Sequence, residues 1–372
     1  MTHNVSRRSF LKFSLTSTLT GLFWGDVANI FFDSRMAQAA THPIPDNLDV
    51  IVIGAGVSGL AAAHTLQSHG LNALVLEARD RVGGRIWTDY TSETPFDLGS
   101  SWIHGIDYGN PVRFLAEKYE VNQSEASNFF RGFDQIIGSL VNGLNIRLNQ
   151  IVHHVQHSDE GVKIATYSDV FKARHAVVTL PLGVLKSGDI AFRPALPENK
   201  QTAINRLTTG VLNKLYLQFP QVFWEKDANL VSIGSGGVES QFNEFLNVYK
   251  YTKQPVLLGS FSSTSTHQLE KWSDDEIVHA AMKSLGQKYG NSIPYPLSSK
   301  ITRWASDPYA RGSYTLHHAD STSEDMAALA ESVDNRLFFA GEATNPDDYA
   351  SVQGAYLSGV REAEKIIQLL KT

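Results

Sequence analysis

Three glycines and an acid carry the first chemistry visible in this 372-residue sequence. Gly54-Ala55-Gly56-Val57-Ser58-Gly59 follows a β-branched apolar run at 48–53 and precedes a stretch of helical composition at 60–69, which Gly70 closes. A second apolar run, 73–76, ends at Glu77. Strand, glycine turn, helix, strand and acid in that order predict a βαβ unit that binds a dinucleotide. The glycines divide the work. Gly54 makes the tight turn, Gly56 lets the backbone approach a pyrophosphate, and Gly59 lets the helix pack close to the strand. The helix N-terminus receives the phosphates. Glu77 can accept hydrogen bonds from a ribose, and its charge disfavours a 2′-phosphate, so FAD or NAD fits and NADP does not.

The residues just beyond Glu77 separate the two. Arg79-Asp80-Arg81-Val82-Gly83-Gly84-Arg85 offers two more glycines and three arginines where the larger FAD needs close backbone approach and positive charge. Residues 336–340 then read as a short strand running into Gly341-Glu342-Ala343-Thr344, and Gly354-Ala355-Tyr356-Leu357-Ser358-Gly359 opens a final helix. A helix N-terminus there can face a flavin ring and favour negative charge on reduction. Read blandly, the same stretch is only a strand packed on an amphipathic helix.

The elements that must position these groups fit a chain of two-domain size, with 42% apolar and 19% charged residues. A net charge of −6 provides no basic field for nucleic acid. The absence of cysteine excludes disulfides, thiolate nucleophiles, thiolate metal sites and cysteine-linked cofactors, and no metal site is expected. Runs at 212–219, 230–233, 244–249 and 256–261 read as strands, and Ser273 to Glu276 as a capping box that starts a helix. Alternation puts Leu212, Lys214 and Tyr216 on one strand face. A lysine on such a face is either turned inward for a reason or an ordinary surface residue.

The N-terminal segment reads as an address. Ser6-Arg7-Arg8-Ser9-Phe10-Leu11-Lys12 is a twin-arginine pattern, a moderately apolar stretch follows, and Ala37-Gln38-Ala39 is a small-x-small cleavage site. The expectation is export of the folded protein to the periplasm through the twin-arginine machinery, with cleavage after Ala39. An N-terminal anchor is the other reading, although Asp26 and Asp33 interrupt the apolar run.

Several further segments carry a resemblance. Val52-Ile53-Gly54-Ala55-Gly56, Leu76-Glu77-Ala78-Arg79, Gly83-Gly84-Arg85, Asp97-Leu98-Gly99-Ser100-Ser101-Trp102-Ile103-His104-Gly105, Thr179-Leu180-Pro181-Leu182-Gly183 and Phe339-Ala340-Gly341-Glu342 together resemble the flavin-containing amine oxidase family, on its polyamine oxidase and histone demethylase side. Val211-Leu212-Asn213-Lys214 and the stretch from Arg303 to Tyr314 agree. The resemblance covers about residues 47–370. It implies an α/β fold with a discontinuous Rossmann-type FAD-binding domain (40–100, 133–187 and 320–372) and an α+β substrate domain with a mixed sheet (101–132 and 188–319), after a signal peptide at 1–39.

Carried over position by position, the resemblance gives Lys214 the role of holding a water near flavin N5. Trp304 would stand beside the flavin, Tyr314 would form one wall of an aromatic cage, and His104 would lie near the substrate channel; His104 can equally be a core histidine bonded to backbone. The second cage wall falls on Ser351. Cofactor contacts are implied for Gly54, Gly56, Ser58, Gly59, Glu77, Ala78, Arg79, Gly84, Arg85, Gly99, Ser100, Ser101, Trp102, Val152, Trp304, Gly341, Glu342, Ser351 and Val352. Ser313 stands where monoamine oxidases carry the cysteine that bonds FAD, so the flavin is expected to be non-covalent.

One departure stands out. Only 13 steps separate Glu120 from Phe133, where the family inserts a helical subdomain that roofs the substrate cavity. FAD binding is expected to survive this loss, whereas a site open to water forgoes the shielding and positioning that hydride transfer benefits from. The expected reaction is hydride transfer from the α-carbon of a neutral amine to flavin N5, giving an imine and then an aldehyde, with dioxygen reduced to hydrogen peroxide. Two readings remain beside it: an L-amino-acid oxidase, which would want an arginine for the substrate carboxylate, and a non-catalytic flavin-binding remnant.

Overall fold

The computed structural model describes residues 47–92, 95–102, 110–118, 132–234, 242–262, 266–317 and 320–371. The twin-arginine segment, His104 and residues 121–131 lie outside them.

Strand β1 (Val50–Ile53) is buried at every position. It lies between β2 (Ala73–Leu76) and the strand His175–Val178, parallel to both, with Val50 level with Ala73 and His175. Leu337–Phe339 and Asn145–Arg147 complete this five-stranded parallel sheet at its two edges. A parallel sheet is covered on both faces, which is why its central strands read as unbroken apolar runs. Helix α1 (Val57–Ser68) leaves directly from the glycine turn. Gly54 adopts φ +108°, open only to glycine. A Cβ on Gly59 would lie 1.9 Å from the Gly54 carbonyl oxygen, so helix and turn touch backbone to backbone.

The last helix runs over Val352–Lys371, starting two residues before the glycine pair that announced it. It crosses α1 just as closely: a Cβ on Gly359 would meet the Ser58 carbonyl oxygen at 2.1 Å. Ser58 Oγ and Ser358 Oγ stand 3.2 Å apart, and Ser358 Oγ also accepts from the Gly341 N–H at 2.8 Å.

A second five-stranded sheet takes the order Leu230–Ser232, Glu244–Asn247, Val256–Phe261, Asn213–Gln218, Ser298–Ile301. Every described pairing in it is antiparallel. Parallel and antiparallel pairings mix instead in the four-stranded sheet of Ala191–Arg193, Val152–Ser158, Gly161–Thr166 and Val170–Ala173. Tyr249 leaves the expected strand and begins a short helix, Tyr249–Thr252. Helix Asp274–Tyr289 covers the antiparallel sheet and starts with the expected capping box: Ser273 N–H donates to Glu276 Oε2 at 2.8 Å and Glu276 N–H to Ser273 Oγ at 3.3 Å. The architecture is therefore α/β, a Rossmann-type nucleotide-binding unit joined to an α+β unit. Among the described residues no helix is long and apolar enough to cross a membrane.

Candidate cofactor and active site

One cavity of about 1300 Å³ runs from the glycine turn to the antiparallel sheet. At the first end its wall includes Gly54, Gly56 and Ser58 from the turn and α1, Glu77, Ala78 and Arg79 after β2, and Gly84 and Arg85 beyond. A Cβ on Gly56 would meet no protein atom within 4 Å, although a Cβ on Gly54 would strike Thr179 Oγ1 at 2.6 Å. Gly56 is thus a glycine for the sake of what enters the cavity, as a pyrophosphate cradle requires. Gly59 stands behind the wall, where it sets the helix against the turn. Val152 and Gly341, Glu342, Ser351 and Val352 also line the cavity. Ser351 Oγ accepts from the Gly354 N–H at 2.9 Å and so caps the last helix, whose N-terminus opens on the same space.

The charged groups here are held firmly. Both oxygens of Glu77 take backbone N–H groups, Oε2 from Ala55 at 2.7 Å and Oε1 from Arg79 at 2.9 Å. Burial nevertheless pushes its carboxyl above the usual carboxylate range. Arg79 makes a two-pronged pair with Asp307 at 2.9 and 2.8 Å. Arg85 donates to Glu342 Oε1 at 2.9 Å and to the Ser313 carbonyl at 3.0 Å. Glu342 also accepts from Thr315 and from the Ala350 N–H, joining strand, turn and helix around one carboxylate.

At the other end the wall is formed by Gly99, Ser100 and Trp102, by Lys214, Trp304 and Tyr314, and by the face of the antiparallel sheet. Lys214 is buried, and its Nζ donates to the Asp97 and Gly99 carbonyls and to Ser101 Oγ, each at 2.7 Å. These bonds take all three protons of an ammonium. Ser101, expected at the cofactor, stands behind the wall as a partner of this lysine. Tyr216 OH reaches the Asp97 carbonyl too, at 3.0 Å, so Lys214 and Tyr216 share one strand face as their alternation predicts. Burial pushes the Lys214 ammonium below the ordinary lysine range and the Asp97 carboxyl above its own. Trp304 stands edge-on to Trp87 with ring centroids 6.4 Å apart. Trp102 is 41% exposed and Leu230 46%, so the cavity meets solvent on this side.

A buried network that no motif announced fixes Trp304. Asn213 Oδ1 accepts from the Trp304 N–H at 2.9 Å and from Thr302 Oγ1 at 3.2 Å, while its Nδ2 donates to Glu270 Oε1 at 2.6 Å. Glu270 in turn accepts from the Ala305 and Ser306 N–H groups at 2.9 and 2.8 Å. The loop that carries both Trp304 and Asp307 is thereby pinned beside Lys214.

The family profile described as "Flavin containing amine oxidoreductase" matches residues 57–129 and 115–367. Polyamine oxidase 2 of Arabidopsis thaliana is 30% identical, with 85% of this chain and 87% of that protein covered. Its alignment extends over 430 positions, more than this chain possesses, so the relative carries segments that are absent here. Lysine-specific histone demethylase 1 homolog 1 of Oryza sativa subsp. japonica is 37% identical over 93% of this chain, which spans 56% of it. Wild-type putrescine oxidase bound to putrescine shares the fold, with a TM-score of 0.66 at 18% identity over 87% of this chain and 99% of that one. Profile, relatives and fold agree with the cavity's own geometry, and the chain belongs to the flavin-containing amine oxidoreductases.

Proposed function

We propose that this protein oxidises an amine with non-covalently bound FAD. The observation that carries the reading is that one cavity joins the Gly56 cradle and Glu77 to Lys214, Trp304 and Tyr314. Among the described lining residues the cations are Arg79 and Arg85, each held in an ion pair, and Lys214, whose protons go to protein oxygens. Among the described lining residues no guanidinium is left for a substrate carboxylate, which favours an amine over an amino acid. Ser313 Oγ accepts from the Leu212 N–H at 2.8 Å and donates to the Leu212 carbonyl at 2.9 Å, and with no cysteine in the chain this supports a flavin held without a covalent bond.

FAD held by these residues would supply a two-electron acceptor for the hydride on the α-carbon of a neutral amine, so that the products would be an imine, hydrolysed by water to an aldehyde, and hydrogen peroxide from dioxygen. The chain's own work is placement. Residues 54–59 and Glu77 would fix the nucleotide half, Trp304 would stand beside the flavin, Tyr314 would offer an aromatic face to an incoming cation, and Lys214 clamps the wall of residues 97–101. The water-holding role suggested by resemblance requires one Lys214 proton to be released from those oxygens. The domain boundaries expected from sequence complete the proposal, together with the substrate-channel role that the resemblance implies for His104.

Anaerobic titration of the yellow protein with alkylamines, diamines and amino acids should bleach the flavin with amines alone, and acid precipitation should leave all the FAD in the supernatant. Bleaching by amino acids would support the oxidase of that class. Reduction by dithionite but by no amine would indicate the non-catalytic remnant, and yellow colour in the pellet would disprove non-covalent binding.

Glu77→Ala should weaken FAD by roughly 1.5 to 3 kcal/mol, the range for a hydrogen bond to a charged group, and should also free the Ala55 N–H that holds the turn. Fluorescence titration of the apoprotein measures the loss; unaltered affinity would remove this acid from the cofactor site. Export through the twin-arginine route is proposed on the Arg7-Arg8 pattern. Replacing both by lysine should retain the precursor in the cytoplasm, and an undiminished periplasmic yield would refute that route.

A further inference from the structure

The hairpin that joins Gly161–Thr166 to Val170–Ala173 carries an aromatic residue at its tip, where a turn favours small polar ones. Thr166 N–H donates to the Asp169 carbonyl at 2.9 Å and Asp169 N–H to Thr166 Oγ1 at 3.0 Å, which closes the turn without help from Tyr167. Tyr167 is 78% exposed, and yet it lines the cavity together with Gln150, Ile151 and Val152. Neither the turn nor a buried core accounts for its ring.

Three features fix that ring in place. The hydroxyls on either side of it, Thr166 Oγ1 and Ser168 Oγ, both donate to Gln150 Oε1, at 2.9 and 3.0 Å. Gln150 N–H in turn donates to the Glu77 carbonyl at 2.8 Å, which ties the hairpin tip to the end of β2. The third is a β-bulge in the neighbouring strand: Val152 pairs with Thr166 and His154 with Ala165, leaving His153 as the extra residue. A bulge re-aims a side chain, and here the His153 ring lies against that of Tyr167, with centroids 4.9 Å apart and planes 20° apart. Tyr167 is among the described lining residues and His153 is not, so the histidine backs the tyrosine from the side away from the cavity.

The base of a dinucleotide is bonded to the ribose that Glu77 would accept, so it must lie beside the end of β2, where Gln150, Val152 and Tyr167 form the wall. Tyr309 also lines this end, and the Arg79 guanidinium occupies it at 5.3 Å from the ring centroid. An aromatic face steadied from behind is the complement of a flat heteroaromatic base, which gains from stacking without any hydrogen bond. We infer that Tyr167 is a cofactor-binding residue whose ring covers the adenine of FAD, and that His153 is the residue that positions it. The inference rests on the FAD part of the proposed function and adds a hold on the half of the cofactor farthest from the reacting end. Loss of that hold belongs in how long FAD stays bound.

The test is the rate at which FAD leaves the loaded, full-length protein on dilution, read as the fluorescence that free FAD regains. Tyr167→Ala should release FAD about tenfold faster, as expected for one lost stacking partner, whereas Tyr167→Phe should release it at the wild-type rate. His153→Ala should speed release about threefold, the effect of one lost aromatic pair, and His153→Phe should restore it. Thermal unfolding of the same variants stripped of flavin should be unchanged, because the hydrogen bonds of the turn are kept. Unaltered release from Tyr167→Ala would overturn the assignment, as would equal acceleration in Tyr167→Phe. A lower unfolding temperature for flavin-free Tyr167→Ala would also overturn it, by making the ring a prop of the hairpin. Wild-type protein that takes up no FAD would refute the flavin reading itself, whereas unaltered release from Tyr167→Ala in a protein that amines still bleach would remove Tyr167 alone.

Discussion

Gly59→Ala should give a protein that retains little or no flavin. The added Cβ would stand 1.9 Å from the Gly54 carbonyl oxygen and 3.0 Å from Thr179 Oγ1. The hydroxyl can turn aside, but the carbonyl is backbone, fixed by the turn, and only a retreat of α1 from β1 relieves the contact. Overpacking by a side chain costs roughly 1 to 3 kcal/mol, and a clash with backbone exceeds that because no rotamer escapes it. The retreat also carries the helix N-terminus away from the place where phosphates would sit. Gly138→Ala is the control, since its Cβ meets nothing within 4 Å in the helix Gln135–Val141; there a gain of roughly 0.4 to 1 kcal/mol is expected. The ratio of flavin to protein absorbance after gel filtration decides the matter. Full flavin content in Gly59→Ala would show that the turn is not the cradle.

Lys214→Met should keep the flavin and slow its reduction. Nothing at the glycine turn or at Glu77 depends on this lysine, so affinity for the nucleotide half is spared. The substitution strips Asp97, Gly99 and Ser101 of their shared donor, leaving the Asp97 carbonyl only the Tyr216 hydroxyl, and the cavity wall from Gly99 to Trp102 loosens. Loss of one positioned polar group at a reacting centre costs roughly 10² in rate, about 2.7 kcal/mol of barrier. Stopped-flow mixing with amine under anaerobic conditions reads this directly, and reoxidation by dioxygen should slow as well. Wild-type rates in both half-reactions would make Lys214 purely structural.

The nucleotide half of the fold is legible in the sequence because its signals are local. A glycine turn must sit between its strand and its helix, and the acid that follows one helix and one further strand must end β2, so spacing alone orders them. The capping box at Ser273 and the strand at 213–218 are legible for the same reason. What escapes are pairings made by distant parts of the chain. Asn213 and Glu270 look in sequence like any polar residues of a strand and a loop, yet their bonds hold the Trp304 loop. Ser101 sits in a motif that points to the cofactor, whereas its hydroxyl turns to Lys214; a motif gives the backbone's course and not the direction of each side chain. Glu77 reads as a ribose acceptor, and its two backbone bonds add a role in holding the turn that spacing does not disclose.

The joining of α1 to the last helix through Ser58, Ser358 and Gly359 has a bearing on the order of events in synthesis. The two serines are 300 residues apart in the chain, and the edge strand Leu337–Phe339 closes a sheet begun at Val50. Contacts of such sequence separation form late and slowly, because a long loop must close before they repay its entropy. A ribosome that has released the first βαβ unit still holds the helix that must lie against it. The cradle can therefore reach its final shape only after release of residue 359, and a nascent chain halted before Leu337 is expected to bind no flavin however complete its glycine motif.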